Sequence, residues 1–142
     1  MIETLIHKDL NLATIIRSRH QKEGIEFFTD DNSPMQIGYM NRSSNFVIKP
    51  HVHNEVERTI LNTHEVLFIR SGKVRVDFYT DDQVYIKSTT IEKGDVILLA
   101  DGGHGFKMLE PSEIIEVKQG PYVGEQDKTR FEPINDSAVI TN

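Results

Sequence analysis

The chain has 142 residues, with 16 Lys and Arg against 22 Asp and Glu, a formal net charge of −6 at pH 7 and no cysteine. That length fits one domain, and an acidic balance without a Lys/Arg cluster speaks against a nucleic-acid or anionic-membrane partner. Without cysteine there is no disulfide, thiolate zinc site or cysteine nucleophile, and no apolar run is long enough to span a bilayer.

The opening residues mix Glu3, Lys8 and Asp9 into their apolar positions, which is not the pattern of a signal peptide; a cytoplasmic protein is expected. Residues 2–9 allow a short helical turn. Short apolar or alternating runs then predict strands over residues 12–17, 25–29, 35–40, 46–53, 65–70, 73–79, 84–91, 95–100, 105–109 and 114–119. The separators are rich in Gly, Asn, Asp and Pro, as tight turns require. Residues 65–79 read as the clearest hairpin. Glu65, Leu67 and Ile69 share one face, and Val74, Val76 and Phe78 answer them after Ser71-Gly72. Lys73, Arg75, Asp77 and Tyr79 take the opposite face of a half-buried alternation. A second helical turn is allowed over residues 54–61, where Asn54 and Glu57 have the spacing of an N-cap and its acid. The polar tail beyond Pro121 is expected to wrap the barrel or a partner subunit. Many short strands at this spacing predict an all-β sandwich or barrel.

The most informative feature is His51-Val52-His53. Histidines two apart on an extended strand point to the same side, and imidazole is the commonest protein ligand for transition metals. Glu65 and His104 also stand at predicted strand ends, where a barrel mouth would gather all four; such a nitrogen and oxygen set suits Fe, Mn, Ni, Cu or Zn. Lys49 shares the inward face of the histidine strand. It reads either as an anchor for an anionic ligand or as the partner of a carboxylate at the mouth. His64 faces away from Glu65 and reads as a supporting or surface residue. Tyr122 is placed at the pocket rim, whereas strand parity turns Lys118 outward. Residues 55–63 form a surface loop, or a lid docked through Val56, Ile60 and Leu61. Val66, Phe68, Ile97 and Leu99 are read as alternate-face apolar residues that a two-fold dimer would cover.

In combination, His51-x-His53, Glu65 with six residues before Gly72, and Gly94-Asp95 followed by His104 resemble the two motifs of the cupin superfamily. The resemblance covers residues 35–120 of a single domain, with 121–142 as an extension. It implies a jelly-roll β-barrel and a divalent transition metal held by His51, His53, Glu65 and His104. Glu57 meets the family's shorter gap from the second histidine, but only Glu65 has a glycine at the motif distance. Ala100 replaces the usual proline, and His104 falls one residue early, a deletion that Gly102, Gly103 and Gly105 can absorb. Residues 101–106 and 117–122 resemble a small bacterial cupin group associated with surface-polysaccharide gene clusters. A small polar substrate such as a sugar or sugar-nucleotide intermediate is implied, with isomerase, epimerase or oxygenase chemistry. The alternative is a non-catalytic ligand-binding module with a structural metal.

Overall fold

Among the described residues, alternating β-branched and aromatic residues produce ten strands, and every strand pair is antiparallel. The computed structural model describes residues 1–141, and among them there is no α-helix. The fold is all-β, as expected from the turn spacing. The chain divides into two compact units, Met1–His20 with Thr63–Asn142, and Gln21–Asn62.

The larger unit holds two sheets. One runs in the order β1 (Ile2–His7), β2 (Leu10–Ile16), β8 (Val96–Leu99), β5 (Glu65–Ser71) and β10 (Glu113–Lys118). The other runs β7 (Tyr85–Glu92), β6 (Lys73–Tyr79) and β9 (Gly103–Met108). Leu5, Ala13, Ile15, Leu67, Ile69, Ile97 and Leu99 from the first sheet meet Val74, Val76, Phe78 and Ile91 from the second in one apolar core. Burying such side chains stabilises by about 1.5–3 kcal/mol each. Ile97 and Leu99 therefore belong to the core, and Val66 is buried as well; of the four residues expected at a subunit interface only Phe68 is exposed. The opposite face of β5 and β10 keeps Phe68, Ile115 and Val117 at 42, 48 and 50% exposure.

Residues 65–79 do not pair as a hairpin: β5 and β6 belong to different sheets and face each other across the core, with Gly72 at the corner between them. Three further expectations are corrected. Residues 2–7 form an edge strand, β1, and not a helical turn. The β1–β2 connection turns at Lys8, whose φ of 54° gives the left-handed step a two-residue turn needs. Residues 54–61 likewise carry no helical turn. The outer face of β6 is the third case: Arg75, Asp77 and Tyr79 are buried, because residues 131–141 cross over them. Tyr79 Oη accepts from Ile134 N at 3.0 Å, and its ring meets Phe131 edge-on at 4.9 Å. The tail thus wraps its own sheet.

One ion cluster pins the end of the first sheet. Asp95, 2% exposed, accepts from Arg17 Nη1 and Ser18 N, both at 2.8 Å, and from Glu92 N at 3.1 Å. Arg17 also grips Glu3 through Nε and Nη2.

The smaller unit contains one hairpin, β3 (Gly24–Phe27) with β4 (Gly38–Asn41). Residues 46–53, expected as a strand, have no ladder partner and no regular structure. Phe46 instead lies under the Arg42 guanidinium, 4.5 Å from its ring centre, a cation–π contact.

Candidate metal centre

β5 begins at Glu65, and its inward parity, shared with Leu67 and Ile69, aims the carboxylate at the facing sheet. β9 supplies His104, directly across from Phe78 in the β6 ladder and on that strand's core side. His104 Nε2 and Glu65 Oε2 meet at 3.1 Å. Glu65 is buried while His104 keeps partial access to solvent. The bond to His104 holds the Glu65 carboxyl below its ordinary range, against the opposing effect of burial; the charges of His104, Lys128 and Lys118 add to the lowering.

Lys118 lies opposite Glu65 in the β5–β10 ladder and so shares its side of the sheet, not the outward side that parity had indicated. Its ammonium is 3.4 Å from Asp127 Oδ2, and Asp127 Oδ1 accepts from Thr63 Oγ1 at 2.8 Å. These neighbours escaped notice in the sequence. Asp127 comes from a 3₁₀ turn, Gly124–Asp127, far along the chain from Glu65, and no local pattern links the two.

The other two expected donors are in the smaller unit. His51 and His53 have ring centres 5.2 Å apart at an interplanar angle of 76°. His51 Nδ1 contacts the Lys49 carbonyl oxygen at 3.0 Å. A carbonyl oxygen only accepts, so Nδ1 is the donor of this contact, and in a neutral imidazole that leaves Nε2 as the ring's acceptor, the arrangement in which metal-ligating histidines are usually fixed. Lys49, His51, His53 and Glu57 are all exposed. Tyr122 is exposed too, at 83%. The donors are therefore grouped in twos, and among the described residues no set of three or more His, Asp or Glu side chains gathers in metal-binding array.

Comparison with protein-family profiles, curated proteins and solved structures gave no match.

The donor chemistry fits a divalent metal. Glu65 and His104 bring a carboxylate oxygen and an imidazole nitrogen within 3.1 Å of each other, and both are donor types that such a metal accepts. A cation there would compete with the proton that Glu65 and His104 share, so its affinity falls as pH falls. The same pair also has the geometry of an imidazole oriented by a carboxylate. His64, next in sequence, turns the opposite way and is 4% exposed, with Nδ1 lacking a hydrogen-bond partner. Burial depresses its pKa, and Asp101 opposes that effect.

Proposed function

We propose that this chain is a metal-binding protein of the cupin type, a jelly-roll whose donor set is His51, His53, Glu65 and His104. In this reading it takes a divalent transition metal and a small polar ligand, such as a sugar or sugar-nucleotide intermediate. The observation that carries the proposal is the Glu65–His104 contact between two facing antiparallel sheets. Two further features support it. β9, which carries His104, ends its sheet with an open edge. His51 is held in the tautomer that leaves Nε2 available.

When bound, the metal supplies Lewis acidity toward a carbonyl or enediol oxygen, or a site for dioxygen. Isomerase, epimerase and oxygenase chemistry all suit it. The chain's own part is to orient the donors and to place Lys118 beside them. Lys49 and Tyr122 are assigned to ligand binding, Lys49 as the anchor for an anionic group. We place the protein in the cytoplasm as a homodimer covering Phe68, Ile115 and Val117, with a role in surface-polysaccharide synthesis. A non-catalytic module with a structural metal is the alternative. Metal loading followed by a screen of sugars and sugar nucleotides, for binding and turnover, tests the proposal. Exchangeable metal-bound water with turnover supports the enzyme, whereas a site closed by four protein ligands supports the structural alternative.

A further inference from the structure

A second polar site lies on the outer face of the three-stranded sheet, away from Glu65 and His104. Arg75 on β6 and Lys107 on β9 are cross-strand partners. Like charges directly opposite one another on a sheet repel. Here both donate to one carboxylate: Arg75 Nη1 to Asp136 Oδ1 at 2.9 Å, and Lys107 Nζ to Asp136 Oδ2. Asp77 takes the other two Arg75 donors, Nε at 2.7 Å and Nη2 at 3.0 Å. Ser88 Oγ donates to Asp77 Oδ1 as well. Without Asp136 the group would hold two cations against one carboxylate, a net charge of +1 with Arg75 Nη1 and the Lys107 ammonium unsatisfied. A guanidinium and an ammonium converging on one point make a general oxyanion clamp.

The segment that supplies Asp136 is weakly anchored. None of residues 131–141 is fully buried, and Asp136 itself is exposed. Besides the Asp136 pairs and the Phe131 ring contact, the attachments are a few bonds to its backbone, among them Tyr85 Oη donating to the Ile140 carbonyl at 3.3 Å. Ile134 N donates to Tyr79 Oη at 3.0 Å, Ile140 N to Tyr85 Oη at 2.9 Å, and Ser88 N to the Ile140 carbonyl at 2.8 Å. Thr141 adds one parallel bridge to Ser88. Segments with little apolar burial and few backbone bonds open at low free-energy cost. Below them, Arg75, Asp77 and Ser88 are buried.

We propose that Arg75 and Lys107 form an oxyanion-binding site, and that residues 131–141 are a releasable strap whose Asp136 carboxylate occupies it. The ligand class is a compact oxyanion, a phosphate or carboxylate group, that replaces Asp136 on the same two cations. The proposal stands apart from the metal reading and shares no residue with it.

The test uses the full chain, with inorganic phosphate as the probe and sodium chloride at matched ionic strength as the control. Amide hydrogen exchange at Ile134 and Ile140 reports the strap, and exchange at Val76 reports the sheet. In the wild type, phosphate should speed exchange at Ile134 and Ile140 and leave Val76 unchanged, whereas chloride should do neither. Asp136→Asn, at an exposed position, should bind phosphate saturably and about tenfold more tightly than the wild type. Adding Lys107→Gln should abolish that binding. Acetate, titrated in parallel, distinguishes a carboxylate preference from a phosphate one; saturation by either, lost with Lys107→Gln, supports the site. Equal effects of chloride and phosphate would overturn it, as would phosphate binding by Asp136→Asn no tighter than by the wild type, or binding that survives Lys107→Gln.

Discussion

Glu65 on β5 and His104 on β9 face each other from two different sheets, and the 3.1 Å contact between them closes one end of the apolar core with a polar link. Its energetics follow from the carboxyl pKa, which the bond to His104 lowers. A carboxylate with a depressed folded-state pKa adds stability above its unfolded pKa, and that stability is lost as pH falls through the folded value. Glu65→Gln should therefore flatten the acid side of the stability profile, removing about 1–2 kcal/mol of pH-dependent stability. Melting temperatures from pH 7 down to 3 check this, and a profile as steep as the wild type's would contradict it.

The Arg17–Asp95 pair makes a separate demand. Arg17→Met leaves Asp95, 2% exposed, with only two backbone donors, from Ser18 and Glu92. Stranding a buried charge costs about 3–5 kcal/mol. Chemical denaturation should show a loss of that order, whereas Glu3→Gln, which removes a partly exposed partner, should cost about 1 kcal/mol or less.

The strands β5 and β6 were legible because their apolar residues alternate and Gly72, with φ 83°, turns the chain between them; their pairing as a hairpin was not borne out, because the two strands belong to different sheets and face each other across the core. β1 was obscured by charged residues, and its turn residue, Lys8, has no glycine or asparagine to announce the left-handed step. The outer face of β6 read as solvated because Arg75 and Asp77 are charged. Their burial depends on a strap that arrives about 60 residues later through a polar sequence, Asp136 pairing with Arg75 at a separation of 61. Lys118 was misplaced because the apolar residues that alternate with it in β10, Ile115 and Val117, lie on the exposed face, which puts Lys118 on the side of Glu65. At the candidate centre the donor types and the approach of Glu65 to His104 were legible; the direct 3.1 Å bond between the two was not, since it depends on how two sheets stack. The strand expected over residues 46–53 failed for a related reason: composition supplies β-propensity, but a strand exists only with a ladder partner.

Lys49 is exposed, with its carbonyl oxygen at His51 Nδ1. Lys49→Met should keep stability within about 0.5 kcal/mol and leave metal content unchanged, while weakening the binding of an anionic sugar nucleotide. Calorimetric titration of the metal-loaded protein measures this. Unchanged affinity would remove Lys49 from the ligand site.

For the homodimer, the exposed row is Phe68 with its ladder partner Ile115, and Val117 beside them. Light scattering at micromolar concentration should give twice the 16.3 kDa chain mass. Phe68→Glu should reduce it to the monomer, because a charge on an apolar interface carries a desolvation cost. A monomeric wild type would contradict the dimer.

The central proposal is a divalent metal with His51, His53, Glu65 and His104 as its donors. Elemental analysis of the untagged, metal-loaded chain tests it most directly, comparing the wild type with the double variant His51→Ala, His53→Ala. Both histidines are exposed and outside any strand, so the variant should fold. The account predicts about one divalent transition metal per wild-type chain, as expected of a single four-donor site, and none retained by the folded double variant. Stoichiometric metal in that variant, or no metal in the loaded wild type, would contradict it.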